Sequence, residues 1–235
     1  MKKILTILLS LVMLMSLSGF APADKKYQEY LDYVDAGWIK SDITYEIWQE
    51  MVEQSMTLEE ILENSEDFVL VYDSSDVGTY GVAPIYSMEK GDIFVTNGTS
   101  SAGILGHAGI AISASNILHI AGFGENPDII SLNQWNSAYT DTDTDHWTKV
   151  YRHYSSSTAT EAGDWAYDTY AYTDVEYALS LDLSSTNETY CSKIVWQAYY
   201  YGPSSPAATG SLSGYVLPYD LVDRISNISQ IYTYE

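Results

Sequence analysis

The sequence predicts an α+β fold, in which an antiparallel sheet or small barrel packs against a cysteine-bearing helix and a helical appendage precedes it. Three observations support this class. Apolar residues recur at helical spacing between residues 24 and 67. From residue 85 onward, short runs rich in β-branched and aromatic residues alternate with turn signals, as strands do. A later helix carries one apolar face, formed by Cys191, Ile194, Val195 and Ala198.

The first 23 residues have the pattern of a secretory signal peptide. A basic start, with Lys2 and Lys3, precedes an uncharged apolar run that ends at Phe20, and a small-x-small sequence closes at Ala23. A membrane anchor is the alternative, but the run is short for a span. We therefore expect cleavage after Ala23, a secreted or cell-envelope location, and no stable membrane insertion of the mature chain.

The composition is strongly acidic. The chain has 32 Asp and Glu residues against 10 Lys and Arg, a net charge of −22. Loss of Lys2 and Lys3 with the signal peptide leaves 8 basic residues and a net charge of −24. Such a surface repels nucleic-acid phosphates and anionic membranes, which excludes nucleic acid as a partner. The oligomeric state cannot be predicted from the sequence.

Residues 24–84 are predicted to form the helical appendage and a linker. Two apolar stripes follow helical spacing, and Thr57 with Glu60 fits a capping box at the start of another helix. The turn-rich stretch 74–84 marks the boundary of a main domain at 85–235. The appendage either covers one side of that domain or is a prosegment that blocks its site, and the sequence leaves both interpretations open.

Five strands and three helices are predicted in the main domain. The strands are expected at 92–96, 109–113, 117–121, 128–132 and 148–152. The helices are expected at 160–172, 189–201 and 218–225. We expect Asn187 or Thr189 to cap the cysteine helix and Gly202 with Pro203 to end it.

Cys191 is the only cysteine of the chain, so no internal disulfide can form. Its predicted place is the first turn of a helix, where unpaired backbone N–H groups and the helix dipole face the thiol. Such an environment lowers the pKa of a thiol and makes it nucleophilic. The alternative is a small buried residue on the core-facing stripe.

A cysteine nucleophile needs a base, and the base needs an orienting partner. His107 is predicted at the start of one strand and His119 in the middle of the next. If the loop between these strands has an odd number of residues, or carries a bulge, the two histidines share one face of the hairpin. The alternative for each is a structural histidine.

Two metal sites are conceivable, and the sequence disfavours both. Asp141, Asp143 and Asp145 alternate like the start of a calcium loop, but the required glycine and the closing acidic residue are missing. Zinc held by His107, His119 and Cys191 lacks any familiar ligand spacing. We therefore expect no cofactor.

These motifs resemble the circularly permuted branch of the NlpC/P60 papain-like cysteine hydrolases. The resemblance rests on Lys90-Gly91-Asp92-Ile93-Phe94-Val95, Gly106-His107-Ala108-Gly109-Ile110, Ile117-Leu118-His119 and Tyr190-Cys191-Ser192, and it covers roughly Met88 to Leu221. The order His, His, Cys is that of the permuted branch, which includes the YiiX/YaeF-like enzymes and the lecithin:retinol acyltransferase-like proteins. Residues 24–84 have no counterpart in it.

The resemblance implies a role for each site residue. Cys191 is the implied nucleophile, His107 the general base and His119 the residue that orients His107, while Tyr190 helps to shape the substrate pocket. Many bacterial members have a carboxylate at the position of His119, so this chain is closer to the acyltransferase-like variant. Asp92 is interpreted as structural.

The predicted function is that of a secreted thiol hydrolase that cleaves an amide or ester bond, as a cysteine peptidase or amidase does. Expected partners are a cell-wall peptide, peptidoglycan or a lipid-amide substrate. Two alternatives stay open: a lipid acyl hydrolase or acyltransferase of the same fold, and a non-catalytic module. The 22 tyrosines and 6 tryptophans suit a module that binds glycan or peptide.

Overall fold

The computed structural model describes residues 25–64, 86–140 and 145–235. The predicted signal peptide, the predicted boundary at 74–84, and Asp141 and Asp143 lie outside these residues. The elements are, in order, α1 (Lys25–Asp35), α2 (Tyr45–Glu63), β1 (Ile93–Ser101), β2 (Ile104–Ala111), β3 (Asn116–His119), β4 (Asp128–Ser131), α3 (Leu132–Tyr139), β5 (Thr148–His153), α4 (Ser156–Tyr170), β6 (Glu176–Tyr177), β7 (Glu188–Thr189), α5 (Cys191–Tyr201), α6 (Leu221–Arg224) and β8 (Ile228–Tyr234).

A six-stranded antiparallel sheet in the order β4-β3-β2-β1-β5-β8 forms the centre of the fold. The sheet divides the apolar core in two. The larger part lies between the sheet and helices α2, α4 and α5, and it includes Ala108 and Ile110 of β2. The smaller part lies under α3, where Trp135 packs with Phe94 and Ile117. The predicted α+β class, with helices packed on an antiparallel sheet, is confirmed.

The second N-terminal helix, α2, packs directly on the sheet. In α2, the Trp48 indole Nε1 donates a hydrogen bond to the Ala102 carbonyl oxygen (2.8 Å), and Ser55 Oγ accepts one from the Leu105 amide (3.1 Å). Helix α2 begins after its N-cap Thr44 and continues to Glu63. The predicted capping box at Thr57 is therefore wrong, because Thr57 lies inside this helix and donates its hydroxyl to Glu53 O (3.1 Å).

Several helices and strands begin or end at other residues than the sequence predicts, and the structure also contains elements that the sequence does not predict. Strand β2 begins at Ile104 rather than at residue 109, so His107 lies within the strand and not at its start. Helix α3, the edge strand β8 and the short parallel pair β6–β7 are additional. Helix α3 follows β4 without a loop, because the N-cap Ser131 and Gln134 form a capping box at the last strand residue.

Candidate active site

His107 and His119 lie on the same face of the β2–β3 hairpin. Ile110 faces Leu118 across this hairpin. The Ile112 amide donates to Asn116 O (2.9 Å), which leaves the three residues 113–115 in the loop. This odd loop is the condition under which the two histidines share a face. His107 Nε2 lies 3.0 Å from His119 Nδ1, so the structure brings the two imidazoles together.

Helix α3 covers the histidine pair. The ring of Trp135 is stacked on His107 at a centroid distance of 5.3 Å, and Tyr139 lies 4.7 Å from the same imidazole. Trp135 is anchored by its Nε1, which donates to Thr148 Oγ1 (3.1 Å). The Tyr139 hydroxyl lies 3.4 Å from His119 Nδ1. These aromatic residues leave His107 only 2% and His119 only 4% exposed.

Burial keeps both imidazoles neutral. Desolvation lowers the pKa of His107 well below its ordinary value, and the charge of His119 adds to this effect. Desolvation also lowers the pKa of His119 from 6.5 to about 4, against an opposing effect of the Asp128 carboxylate. If His107 Nε2 carries the proton and donates it to His119 Nδ1, the lone pair of His107 Nδ1 is available to accept another.

Cys191 is the first residue of α5. Tyr190 is the N-cap and its side chain makes no capping hydrogen bond, so the expected caps Asn187 and Thr189 do not act as such. Two buried polar residues fix the first turn of the helix. Ser192 Oγ donates to Val216 O (2.7 Å), and Lys193 Nζ donates to Glu188 O (3.1 Å). Gly202 ends α5, as predicted.

The sulfur of Cys191 contacts the sheet beside His107. The Ala108 amide donates a hydrogen bond to it. Amides two residues apart in a strand point the same way, so the Ala108 N–H, like that of Ile112, points toward β3. Strand β3 ends at His119, so the Ala108 amide, which follows His107, extends past the end of β3. This amide donates its hydrogen bond to the Cys191 sulfur instead. Among the described residues, no direct hydrogen bond joins Cys191 to either histidine.

The thiol is buried and not activated in this state. Burial raises the pKa of Cys191, and hydrogen bonds from the backbone of Ala108 and Ser192 and from the Tyr177 hydroxyl offset part of this effect. The expected net lowering of the thiol pKa by the helix start is thus outweighed by desolvation. The resting protein therefore holds a neutral thiol at the Ala108 amide and a neutral histidine pair, rather than a preformed thiolate–imidazolium pair.

A small cavity of about 10 Å³ opens beside Cys191, about the size of one water molecule. Its wall is largely apolar and includes Met51 of α2, Ile104 of β2 and Leu217. Tyr190 also lines it, and the Tyr190 hydroxyl accepts a hydrogen bond from the Val216 amide (3.3 Å). Tyr190 therefore lies at this cavity, and its hydroxyl is hydrogen-bonded to the backbone.

Other functional expectations concern metals and membranes. Within residues 25–64, 86–140 and 145–235, no group of three or more His, Cys, Asp or Glu side chains is arranged to hold a metal ion. None of the helices in these ranges is both long and apolar enough to cross a bilayer.

Three residues that contact the predicted site were not identified from the sequence. They are Trp135, Tyr139 and Tyr177. The sequence does signal the first two, because the capping box of Ser131 and Gln134 places Trp135 and Tyr139 one turn apart on one helix face. Tyr177 lies in a two-residue strand, for which the sequence has no comparable signal.

Comparison with known proteins identifies the family. A sequence model of the family described as "Lipoprotein N-acylation protein LnsA-like" matches residues 61–232. The match covers well over half of the chain, and the chain therefore belongs to the LnsA-like family.

Two individual proteins are also similar to the chain. A 30.3 kDa protein of Bacillus thuringiensis, described as uncharacterized, is 36% identical over 169 residues. The alignment covers 68% of this chain, and the chain spans 61% of the length of that curated relative. The crystal structure of the metalloprotein YiiX from Escherichia coli O157:H7 aligns over 64% of this chain and 99% of its own, with 14% identity and a TM-score of 0.47. The specific assignment to the permuted NlpC/P60 branch stays a prediction.

Proposed function

We propose that the protein is a thiol-dependent acyltransferase that carries an acyl group on Cys191. The observation that carries this proposal is the position of Cys191 at the start of α5, against the amide that follows His107, with His107 paired to His119. The family description supports an acyl-transfer reaction in which an amine is the acceptor. Water in place of the amine gives the hydrolase that the sequence predicts.

The chemistry follows from the neutral resting state. His107 Nδ1 accepts the thiol proton as the Cys191 sulfur attacks the carbonyl carbon of the donor. His119 accepts the Nε2 proton of His107 in a hydrogen bond and holds the ring in the required tautomer. The leaving group takes the proton back from His107, and a thioester remains. An amine then attacks the thioester and releases the thiol.

A lipid acyl chain is the proposed donor group. The cavity at Cys191 is bordered by apolar side chains, including Ile104 and Leu217, which suit an alkyl chain. A charged cell-wall peptide, the substrate that the sequence predicts, would find few polar partners on this wall. The cavity holds little more than one water, so an acyl chain requires its walls to separate. A location outside the cytoplasm is proposed from the signal-peptide pattern.

The test is acylation of purified protein by p-nitrophenyl octanoate, followed by intact-mass measurement and peptide mapping. We expect a single octanoyl adduct on Cys191 and its transfer to the N-terminal amine of an added peptide that has no cysteine. Cys191→Ala should form no adduct, and His107→Ala should form it at least about 100-fold more slowly. An adduct that persists in Cys191→Ala, or a full rate in His107→Ala, would disprove the thiol mechanism.

A further inference from the structure

The hydroxyl of Tyr219 is buried without a hydrogen-bond partner. The residue is 0% exposed, and within the described part of the chain its Oη is one of three fully buried side-chain polar atoms that have no partner. A buried hydroxyl that is left unpaired destabilises the folded protein. A ligand that binds at such a group can supply the missing partner.

This hydroxyl lies next to Gly106, a residue that borders the Cys191 cavity. The ring end of Tyr219 packs against Gly106, and a Cβ atom on Gly106 would lie only 2.9 Å from Tyr219 Oη. Gly106 borders the cavity together with Cys191 and Pro218, the residue before Tyr219. Any side chain at position 106 would therefore displace the ring end of Tyr219, including its hydroxyl.

Two other tyrosine hydroxyls near the site already have polar partners. The Tyr190 hydroxyl accepts from the Val216 amide, and the Tyr139 hydroxyl contacts His119 Nδ1. Tyr219 is held by its turn, in which the Leu217 amide donates to Asp220 Oδ2 (3.3 Å). Burial raises the pKa of Tyr219 above its ordinary range, and the charges of Glu59 and Cys191 add to this, so the group stays a protonated donor.

We propose that the Tyr219 hydroxyl donates a hydrogen bond to the acyl oxygen during attack by Cys191. The inference rests on the proposed acyl transfer at Cys191. As the sulfur–carbon bond forms, the π-electron pair of the carbonyl moves to oxygen, and the resulting oxyanion accepts the Tyr219 O–H without taking its proton. When the oxyanion collapses, the carbon–oxygen double bond reforms and the leaving group departs with the proton held by His107.

The test uses Tyr219→Phe, which removes only the hydroxyl. We expect the rate of Cys191 acylation by p-nitrophenyl octanoate to fall about 100-fold through kcat, with little change in KM. The urea midpoint of unfolding should stay equal or rise, because no hydrogen bond of the resting protein is lost. Tyr199→Phe is the matched control: Tyr199 donates to Gly91 O (2.6 Å), so its variant should unfold at lower urea and keep the acylation rate.

A reversible aldehyde separates contact with the oxyanion from a general packing effect. Octanal adds to the Cys191 thiol as a hemithioacetal, whose oxygen takes the place of the oxyanion, and its affinity should fall in Tyr219→Phe in parallel with the rate. An unchanged acylation rate in Tyr219→Phe, while Cys191→Ala is inactive, would overturn this inference and leave the proposed function standing. A reduced rate together with a lowered urea midpoint would also overturn it, in favour of a structural role. If the wild-type protein forms no adduct on Cys191, the proposed function itself fails.

Discussion

His107 Nε2 lies 3.0 Å from His119 Nδ1, and the pair is enclosed by the aromatic rings of Trp135 and Tyr139. Each imidazole is almost completely buried, so a positive charge on either one is poorly solvated. Both imidazoles are therefore neutral at rest. In the proposed mechanism, the pair takes a proton from Cys191 only when a substrate compensates the charge that forms.

The first prediction concerns the dependence of stability on pH. The pKa of His119 is lowered from 6.5 to about 4 in the folded protein, so between these values the unfolded chain binds more protons. The contribution of neutral His119 is then fully present above pH 6.5 and is lost as the pH falls toward 4. For His119 alone the loss is about 3 kcal/mol. Urea unfolding at a series of pH values measures it.

His119→Asn tests whether this slope belongs to the histidine pair. The asparagine side chain does not titrate, yet its carbonyl oxygen can still accept a hydrogen bond from His107 Nε2. We expect a shallower fall in the free energy of unfolding between pH 6.5 and 4 than in the wild type. An equal slope in both proteins would assign the effect to groups outside the pair.

The sequence predicts that His107 and His119 lie on adjacent strands, because that signal is local. Whether the two histidines share a face depends on the parity of one short loop or on a bulge, and the sequence leaves this open. The position of Cys191 beside Ala108 is different, since it depends on where β3 ends and on how α5 packs on the sheet. No spacing along the chain encodes that contact.

Desolvation is the second property that the sequence could not give. The helix start indicates a lowered pKa for Cys191, but the sign of the net shift depends on how completely tertiary packing excludes water. The sequence does not predict the edge strand β8, for a related reason. Its residues are all half-buried, so its alternation of apolar and polar side chains is weak.

The second prediction concerns the reactivity of Cys191. Because burial raises the pKa of the thiol and leaves the residue 4% exposed, iodoacetamide should modify the folded protein slowly at neutral pH. We expect a rate at least about 10-fold below that of a free cysteine peptide, with the peptide rate restored in urea. Mass spectrometry of quenched time points gives both rates. Rapid alkylation below neutral pH would instead indicate a thiolate in the resting protein.

The third prediction concerns Asp92, which is fully buried. The Arg152 guanidinium binds it through Nε and Nη2, both at 2.7 Å, and the Tyr86 hydroxyl donates to it at 2.6 Å. Asp92→Ala leaves these donors without their acceptor and should cost about 3–5 kcal/mol of unfolding free energy. Asp164→Ala, which breaks a largely exposed pair with Lys90, should cost less than about 1 kcal/mol. Similar losses for both variants would contradict a structural role that is special to Asp92.

The fourth prediction concerns helix α2, whose residue Met51 is expected to influence which acyl chain the protein accepts. Met51 of α2 is 1% exposed and borders the cavity at Cys191, whereas Met56 of the same helix is 57% exposed. Met51→Ala should lower the free energy of unfolding by about 3 kcal/mol, because it leaves a cavity in the core. Met56→Ala should change it by less than about 0.5 kcal/mol.

The space that Met51→Ala opens lies at the proposed acyl site. We therefore expect the ratio of dodecanoyl to octanoyl transfer from p-nitrophenyl esters to rise several-fold in Met51→Ala and to stay at the wild-type value in Met56→Ala. Both chains can be followed on Cys191 by intact mass in one competition experiment. An unchanged ratio in a folded Met51→Ala protein would show that the acyl chain lies elsewhere, and α2 would then contribute to stability alone.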